Sequence, residues 1–194
     1  THGVPKYMGK ESNICKGKFQ ILKIYCKGKL IIWELTNNNF ILNTLGMSGR
    51  WVDYKTNHCD VCFEIKNNAG ILKKIWFKDQ RHFGTFKLVN EKEFSKKYKQ
   101  IGSDILASEE NNNYLSEENW IDICLKYSYY DISTLLLNQS KISGIGNYLR
   151  SEILYDAQIH PLSYIFDLSE NDLIKIYKSI KKISKDSYLY QKYN

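Results

Sequence analysis

Apolar and polar residues alternate along the first half of the chain with the two-residue period of β-strands. Six such segments are joined by turn clusters rich in asparagine and glycine. The predicted strands are Phe19–Tyr25, Lys29–Leu35, Phe40–Leu45, Val61–Lys66, Leu72–Phe77 and Thr85–Val89. Two layers of antiparallel strands are the simplest arrangement that buries their apolar faces.

After Val89 the alternation stops, and apolar residues recur at the spacing of amphipathic helices. The predicted helices are Glu91–Gln100, Ser116–Lys126, Asp131–Leu137, Asn147–Ala157 and Glu170–Lys185. We therefore predict an α+β fold, in which an antiparallel β-sandwich over residues 1–90 precedes a helical domain over residues 91–194.

The segment Leu135–Pro161 joins two of these helices through a turn that contains Gly144 and Gly146. The N–H groups that open a helix have no intrahelical partner and carry partial positive charge. Because glycine has no side chain, a phosphate group can approach them closely. A tight helix–helix turn without any ligand is the alternative that Gly-x-Gly alone leaves open.

The charge of the chain suits a polyanionic partner without identifying it. The formal net charge is +7 at pH 7 and the sequence pI is about 9.0. A lysine-rich solvated surface would give the same balance. Only Arg50, Arg81 and Arg150 are arginines, and all three lie in the motif stretches discussed here.

Five scattered cysteines argue against a disulfide framework and for a reducing compartment. Cys59 and Cys62 form a single C-x-x-C without a second pair, so we predict no metal site there.

No apolar stretch is long enough to span a bilayer, and no signal peptide is visible. We expect an intracellular protein that does not bind membranes.

Three short stretches place unusual side chains at turns. Lys29 follows a Lys-Gly turn, Met47 lies between two glycines after a strand, and Arg81 and Phe83 are two residues apart in Asp79–Gly84. In an extended segment residues two apart share a face, which pairs a cation with an aromatic ring. Each stretch alone is also compatible with ordinary turn or core packing.

Together these stretches resemble the formamidopyrimidine-DNA glycosylase and endonuclease VIII family. The matching motifs are Leu45-Gly46-Met47-Ser48-Gly49, Asp79-Gln80-Arg81-His82-Phe83-Gly84, Gln139, Gly144-Ile145-Gly146-Asn147 and Ile159-His160-Pro161. The chain departs from the family pattern at Asn138, Gln80 and His82, where aspartate, proline and arginine are usual. The last two motifs belong to the family's helix-two-turns-helix.

The resemblance implies a double-stranded DNA partner that contains a damaged base or an abasic site. It implies that Met47, Arg81 and Phe83 fill the gap left by a flipped nucleotide, and that Lys29 is a catalytic proton donor beside a phosphate. The remaining residues that it implies in DNA binding are His58, Gln139, Gly144, Gly146 and Asn147. For His58 a structural role is an open alternative.

The family nucleophile is the amine of an N-terminal proline followed by a glutamate, and neither residue is present. Thr1 offers an amine without a proline, and Pro5 is internal. The C-terminal finger of the family is also absent, and with it any zinc, so we expect no cofactor in this chain. The sequence thus resembles an internal fragment of a DNA glycosylase and abasic-site lyase for oxidised bases.

We expect this fragment to be inactive by itself and monomeric. The alternative is a DNA-binding module that has lost catalysis. A third possibility, a nucleic-acid binder that shares only the helix-two-turns-helix, is disfavoured by Met47, Arg81 and Phe83.

Overall fold

The computed structural model of the chain describes residues 19–67 and 69–193, except for the side chain of Asp60. Thr1 and Pro5, on which the expectation about the nucleophile rests, lie outside the described residues. The chain divides into two compact units, one ending at Lys96 and the other beginning at Lys97. Each unit has its own hydrophobic core.

The first unit is a sandwich of two antiparallel sheets. Its strands are β1 (Ile21–Lys27), β2 (Leu30–Leu35), β3 (Asn39–Thr44), β4 (Arg50–Val52), β5 (Cys59–Lys66), β6 (Leu72–Lys78) and β7 (Thr85–Asn90). One sheet has the strand order β1-β2-β3-β7 and the other has the order β4-β6-β5.

Aromatic side chains fill the space between the two sheets. The ring of Trp33 on β2 lies 5.2 Å from that of Trp51 on β4 and 5.4 Å from that of Phe63 on β5, measured between centroids. Phe77 on β6 is completely buried, with its ring 5.3 Å from Trp51. Pairs at this spacing contribute about 0.5–1.5 kcal/mol each beyond their buried area, so this cluster holds the sheets together.

The helix α1 (Glu91–Lys99) begins directly after β7, and its first turns pack on the sandwich. Phe94 stacks on Phe40 with 4.0 Å between the ring centroids. The ammonium group of Lys87 donates a hydrogen bond to Glu93 Oε1. These contacts explain why the first unit extends to Lys96, beyond the change from strand to helix.

The second unit is mainly helical. Its elements are β8 (Ser103–Asp104), α2 (Glu117–Lys126), α3 (Ile132–Leu137), β9 (Ile142–Ser143), α4 (Asn147–Ala157), a 3-10 helix (Ile165–Asp167) and α5 (Glu170–Tyr193). Trp120 is completely buried in its core and donates its indole N–H to the carbonyl of Leu173 at 2.8 Å. Ile153, Ile176 and Ile180 complete the contact between α4, α5 and this core.

Side-chain caps fix where the helices begin. Asp131 Oδ1 accepts a hydrogen bond from the Thr134 N–H, so the aspartate caps α3. Ser169 and Asp172 form the capping box expected from their spacing, since each side chain accepts from the other's backbone N–H.

The predicted α+β fold is confirmed, with differences in several of its elements. The strand β4 and the two-residue parallel pair of β8 with β9 were not predicted. The helix α5 ends at Tyr193, eight residues beyond the predicted Lys185, because neither glycine nor proline interrupts that stretch. Among the residues that the structure describes, no helix has the length and apolar character needed to cross a bilayer.

A hydrogen-bonded carboxylate at the solvent-exposed edge of the α4–α5 contact makes stability depend on pH. Hydrogen bonds from Lys182 to Asp156 Oδ1 at 2.6 Å and from Ser179 to Asp156 Oδ2 at 2.7 Å lower the pKa of the Asp156 carboxyl. A lowered folded-state pKa stabilises the fold above the unfolded-state pKa, and that stabilisation is lost as the pH falls through the folded-state pKa.

We therefore expect Asp156→Asn to lower the midpoint of thermal unfolding at pH 7. The difference from the native chain should narrow as the pH falls below about 5. Asp122→Asn, on the exposed face of α2, is the matched control and should leave the midpoint unchanged. Equal midpoints for Asp156→Asn and the native chain at pH 7 would show that this contact does not stabilise the helices.

Candidate nucleic-acid interface

Two tight loops of the sandwich unit, Leu45–Gly49 and Asp79–Gly84, lie in direct contact. Gly46 has a φ of +63°, and a Cβ atom at that position would lie 2.6 Å from the backbone carbonyl carbon of Phe83. Only glycine fits this combination of a left-handed backbone and close approach. The two loops are therefore held side by side although they are more than 30 residues apart in the sequence.

The carboxylate of Asp79 connects the two loops. Asp79 is completely buried, and its Oδ1 accepts a hydrogen bond from Ser48 Oγ at 2.8 Å while its Oδ2 accepts one from the Gly84 N–H at 2.7 Å. Ser48 Oγ in turn accepts the Arg81 N–H at 3.1 Å. Sequence reasoning assigned no role to Asp79, although a carboxylate directly after a strand and before a tight turn is a known signal for such bonds.

The three side chains predicted to fill a gap in DNA lie on these two loops. Met47 is 73% exposed and Phe83 is 52% exposed, and Arg81 is exposed as well. The guanidinium carbon of Arg81 lies 4.8 Å from the centroid of the Phe83 ring, which is a cation–π contact. Large apolar side chains held in water at a rigid tip are poised to insert into a partner.

His58 and Lys29 occupy two further turns of the sandwich unit. His58 is exposed, has a φ of +66° and accepts the Asp79 N–H with its carbonyl oxygen at 2.9 Å, so its backbone is tied to the second loop. Lys29 belongs to a separate feature, the hairpin between β1 and β2. Although Lys29 is exposed, partial desolvation by neighbouring atoms lowers the pKa of its ammonium group.

In the helical unit, the side-chain amide of Gln139 holds together the turn between α3 and α4. Its Nε2 donates hydrogen bonds to the carbonyls of Leu137 at 3.1 Å and Ile145 at 2.8 Å, and its Oε1 accepts the Gly144 N–H at 3.1 Å. Both amide hydrogens of Gln139 are therefore used inside the turn, as is the N–H of Gly144. This places the predicted DNA-binding residues Gln139 and Gly144 in a positioning role.

The start of α4 carries the groups that remain open to a partner. Gly146 is the N-cap residue and supplies no side-chain acceptor, while Asn147 and Tyr148 are exposed. The first-turn N–H groups thus have no side-chain cap and face an exposed surface. Gly144 has a φ of +110°, which favours glycine, whereas Gly146 has an ordinary extended backbone.

A backbone segment that sequence reasoning missed supports the same turn. The Gly102 N–H donates to the carbonyl of Gln139 at 3.0 Å, and the Ser103 N–H donates to that of Lys141 at 3.2 Å. A Cβ atom on Gly102 would lie 2.2 Å from the Lys141 carbonyl, so only glycine permits this contact. The only signal in the sequence is a single glycine after α1, which is too weak to predict a two-residue parallel pair.

The departure from the family pattern at Asn138 preserves a hydrogen-bond acceptor. Asn138 Oδ1 accepts the backbone N–H of Ser140 at 3.1 Å and its hydroxyl at 2.7 Å. The same oxygen of an aspartate would accept both bonds, which explains why either residue suits the turn.

The described part of the chain contains no group of three or more His, Cys, Asp or Glu side chains arranged to hold a metal ion. Cys59 and Cys62 lie on β5, whose pairing with β6 is irregular between Cys59 and Val61. Cys59 Sγ accepts a hydrogen bond from the Thr56 N–H at 3.4 Å.

Residues 101–191 match the family model of the formamidopyrimidine-DNA glycosylase H2TH domain. The formamidopyrimidine-DNA glycosylase of Wolbachia sp. subsp. Brugia malayi is 31% identical over 182 residues, which cover 91% of this chain and 63% of that protein. The corresponding protein of Ureaplasma parvum serovar 3 is 32% identical over 172 residues, covering 84% and 59%. The chain spans about three fifths of the length of these curated relatives.

Solved structures share this fold. A crystal structure of Lactococcus lactis formamidopyrimidine DNA glycosylase, non-covalently bound to DNA that contains an AP site, has a TM-score of 0.76 at 22% identity and covers 91% of this chain and 67% of that chain. The MutM (Fpg) protein of Thermus thermophilus has a TM-score of 0.72 at 20% identity, covering 86% and 60%. Both likenesses support the arrangement of a β-sandwich followed by a helical domain.

The hydrogen bonds of Asp79 predict a large effect of its removal. Asp79→Ala leaves the Gly84 N–H and the Ser48 hydroxyl without their acceptor, and an unsatisfied buried donor costs about 1–3 kcal/mol. We expect Asp79→Ala to destabilise the sandwich unit by roughly 2–4 kcal/mol and Ser48→Ala by about 1 kcal/mol. Urea unfolding followed by tryptophan fluorescence measures both losses.

Gln80→Ala, at the exposed neighbour of Asp79, is the control and should stay within about 0.5 kcal/mol of the native chain. If Asp79→Ala were as stable as Gln80→Ala, the carboxylate would not be what joins the two loops.

Proposed function

Because this chain belongs to the formamidopyrimidine-DNA glycosylase and endonuclease VIII family, we propose that the whole protein is a base-excision-repair enzyme. It removes oxidised bases from duplex DNA and cleaves the strand at the resulting abasic site. The residues described above supply the surface that grips the duplex and fills the gap. The observation that carries this proposal is the pair of joined loops that presents Met47, Arg81 and Phe83 to solvent.

A glycosylase must extrude its target nucleotide, which costs a few kcal/mol of stacking and pairing. Apolar side chains inserted at the vacated position replace part of the lost stacking. Met47 and Phe83 have the size and the exposure for this role. Arg81 adds a rigid fork of N–H donors beside the Phe83 ring, and those donors can bond to the base that has lost its partner.

Other groups, described separately in each unit, bind the DNA backbone. The open start of α4 at Gly146 and Asn147 offers N–H groups and partial positive charge to a phosphate. Lys29 and His58 contribute from the sandwich unit. The lowered pKa of Lys29 makes its ammonium group a stronger acid, which suits the proton-donor role in strand cleavage that the family resemblance implies.

The partner that we propose is therefore double-stranded DNA that contains a damaged base or an abasic site, bound by a monomer. The net charge of +7 favours association with this polyanion. We place the protein wherever the cell keeps its DNA, in nucleus or cytoplasm.

The first test of this proposal uses Arg81. The native chain should bind a duplex with a stable abasic-site analogue more tightly than the intact duplex of the same sequence. Arg81→Ala should reduce this preference by about tenfold, since one well-oriented contact to a base is worth about 1–3 kcal/mol. Fluorescence anisotropy with both duplexes measures the preference. An unchanged preference in a correctly folded Arg81→Ala variant would refute the gap-filling role.

The second test uses Gly146. A valine side chain at the N-cap would cover the N–H groups of α4, so Gly146→Val should weaken binding to the abasic and the intact duplex by the same factor. Phosphate contacts do not depend on the sequence or the lesion. Gly146→Val should therefore leave unchanged the preference for the abasic duplex that Arg81→Ala is expected to reduce. Undiminished affinity of the folded variant for both duplexes would exclude phosphate binding at this helix.

A further inference from the structure

A pocket beside Met47 is lined by two basic side chains, Arg50 and Lys78, to which the proposed function assigns no role. Its volume is about 420 Å³, and it is lined by Met47, Ser48, Gly49, Arg50, Lys78 and Gln80. The pocket lies where β4 begins and β6 ends, next to the loop that holds Met47 exposed. Any ligand in this pocket would therefore contact the base of the gap-filling loop.

Arg50 and Lys78 are directly opposite each other on the antiparallel strands β4 and β6. Side chains of such partners project from the same face of the sheet, with Cβ atoms about 4.5–5.5 Å apart. Two like charges in this position repel each other and destabilise the strand pair. An anion bound between the two side chains would relieve this repulsion.

Two other lysines of β6 each lie close to a carboxylate. Lys74 pairs with Glu64 at 2.9 Å, and Lys73 lies 3.8 Å from Asp53. Among the side chains that the structure describes, which exclude that of Asp60, no carboxylate forms an ion pair with Arg50 or Lys78. The carboxylate that follows Lys78 in the chain is that of Asp79, and it is buried against Ser48 and Gly84.

An oxyanion such as phosphate fits this site better than a neutral ligand. A guanidinium fork bonds phosphate bidentately, and the neighbouring ammonium group adds a second positive charge. The position beside Met47 indicates where that phosphate comes from, because a side chain that enters a duplex is flanked by sugar–phosphate backbone.

We propose that Arg50 and Lys78 form a phosphate subsite that grips the DNA backbone next to the nucleotide position entered by Met47. The subsite rests on the proposed function and adds to it a contact that fixes how far the Met47 loop advances into the duplex. It differs from the phosphate contact at the start of α4, which belongs to the other compact unit.

The salt dependence of binding to the abasic duplex tests this subsite. Each phosphate contact contributes about −0.9 to the slope of log K against log salt concentration. Arg50→Gln and Lys78→Gln should each make the slope shallower by about this amount, whereas the charge-preserving Arg50→Lys should keep it. Lys74→Gln removes the same net charge from a lysine of β6 that is already paired, and should leave the slope unchanged.

Neutral methylphosphonate linkages locate the contact on the DNA. One linkage beside the abasic site should reduce the affinity of the native chain for the abasic duplex on the order of tenfold. The same linkage should not lower the affinity of the Arg50→Gln variant any further. Inorganic phosphate at matched ionic strength should not displace the duplex better than chloride does. An equal loss of affinity from this linkage in the native chain and in Arg50→Gln would overturn the backbone assignment.

An unchanged slope in both glutamine variants, or an equal change in Lys74→Gln, would overturn the subsite while leaving the proposed function intact. If the native chain does not bind duplex DNA at all, the proposed function and the subsite both fail. Circular dichroism and thermal unfolding of every variant exclude loss of fold as the cause of a change.

Discussion

The buried carboxylate of Asp79 is the constraint on which the candidate interface of the sandwich unit depends. It accepts one hydrogen bond from each of two loops, through Ser48 and Gly84, and it has no exposure to water. A buried charge is retained only where such bonds satisfy it, so both loops are fixed in the folded state. Met47 and Phe83 therefore stand on a rigid base although both side chains are exposed.

In the helical unit a neutral polar side chain likewise holds a turn together through hydrogen bonds. The amide of Gln139 satisfies three backbone groups of the turn before α4, and the backbone around Gly102 supports that turn from the other side. In both units a polar side chain inside the loop holds the shape, and different groups are exposed at the surface. Preorganised contacts of this kind lower the entropy that binding must overcome.

The sequence was sufficient to predict the long elements and the exposed residues, because both depend on local patterns. It was insufficient for Arg50–Val52, which is too short to show a period, and for Ser103–Asp104, whose parallel partner is distant in the chain. Motif resemblance identified Met47 but assigned Gln139 to DNA contact. The positioning roles of Gln139 and Asp79 depend on hydrogen bonds that only the folded chain shows.

The central claim is that Met47 and Phe83 enter the duplex at the abasic position. The most direct measurement places the fluorescent base 2-aminopurine beside an abasic-site analogue and follows its emission as the chain binds. We predict a change in emission with the native chain, a much smaller change when Met47 and Phe83 are both replaced by alanine, and none when the fluorophore lies far from the site. A native chain that saturates the duplex without changing the emission beside the abasic site would contradict the account.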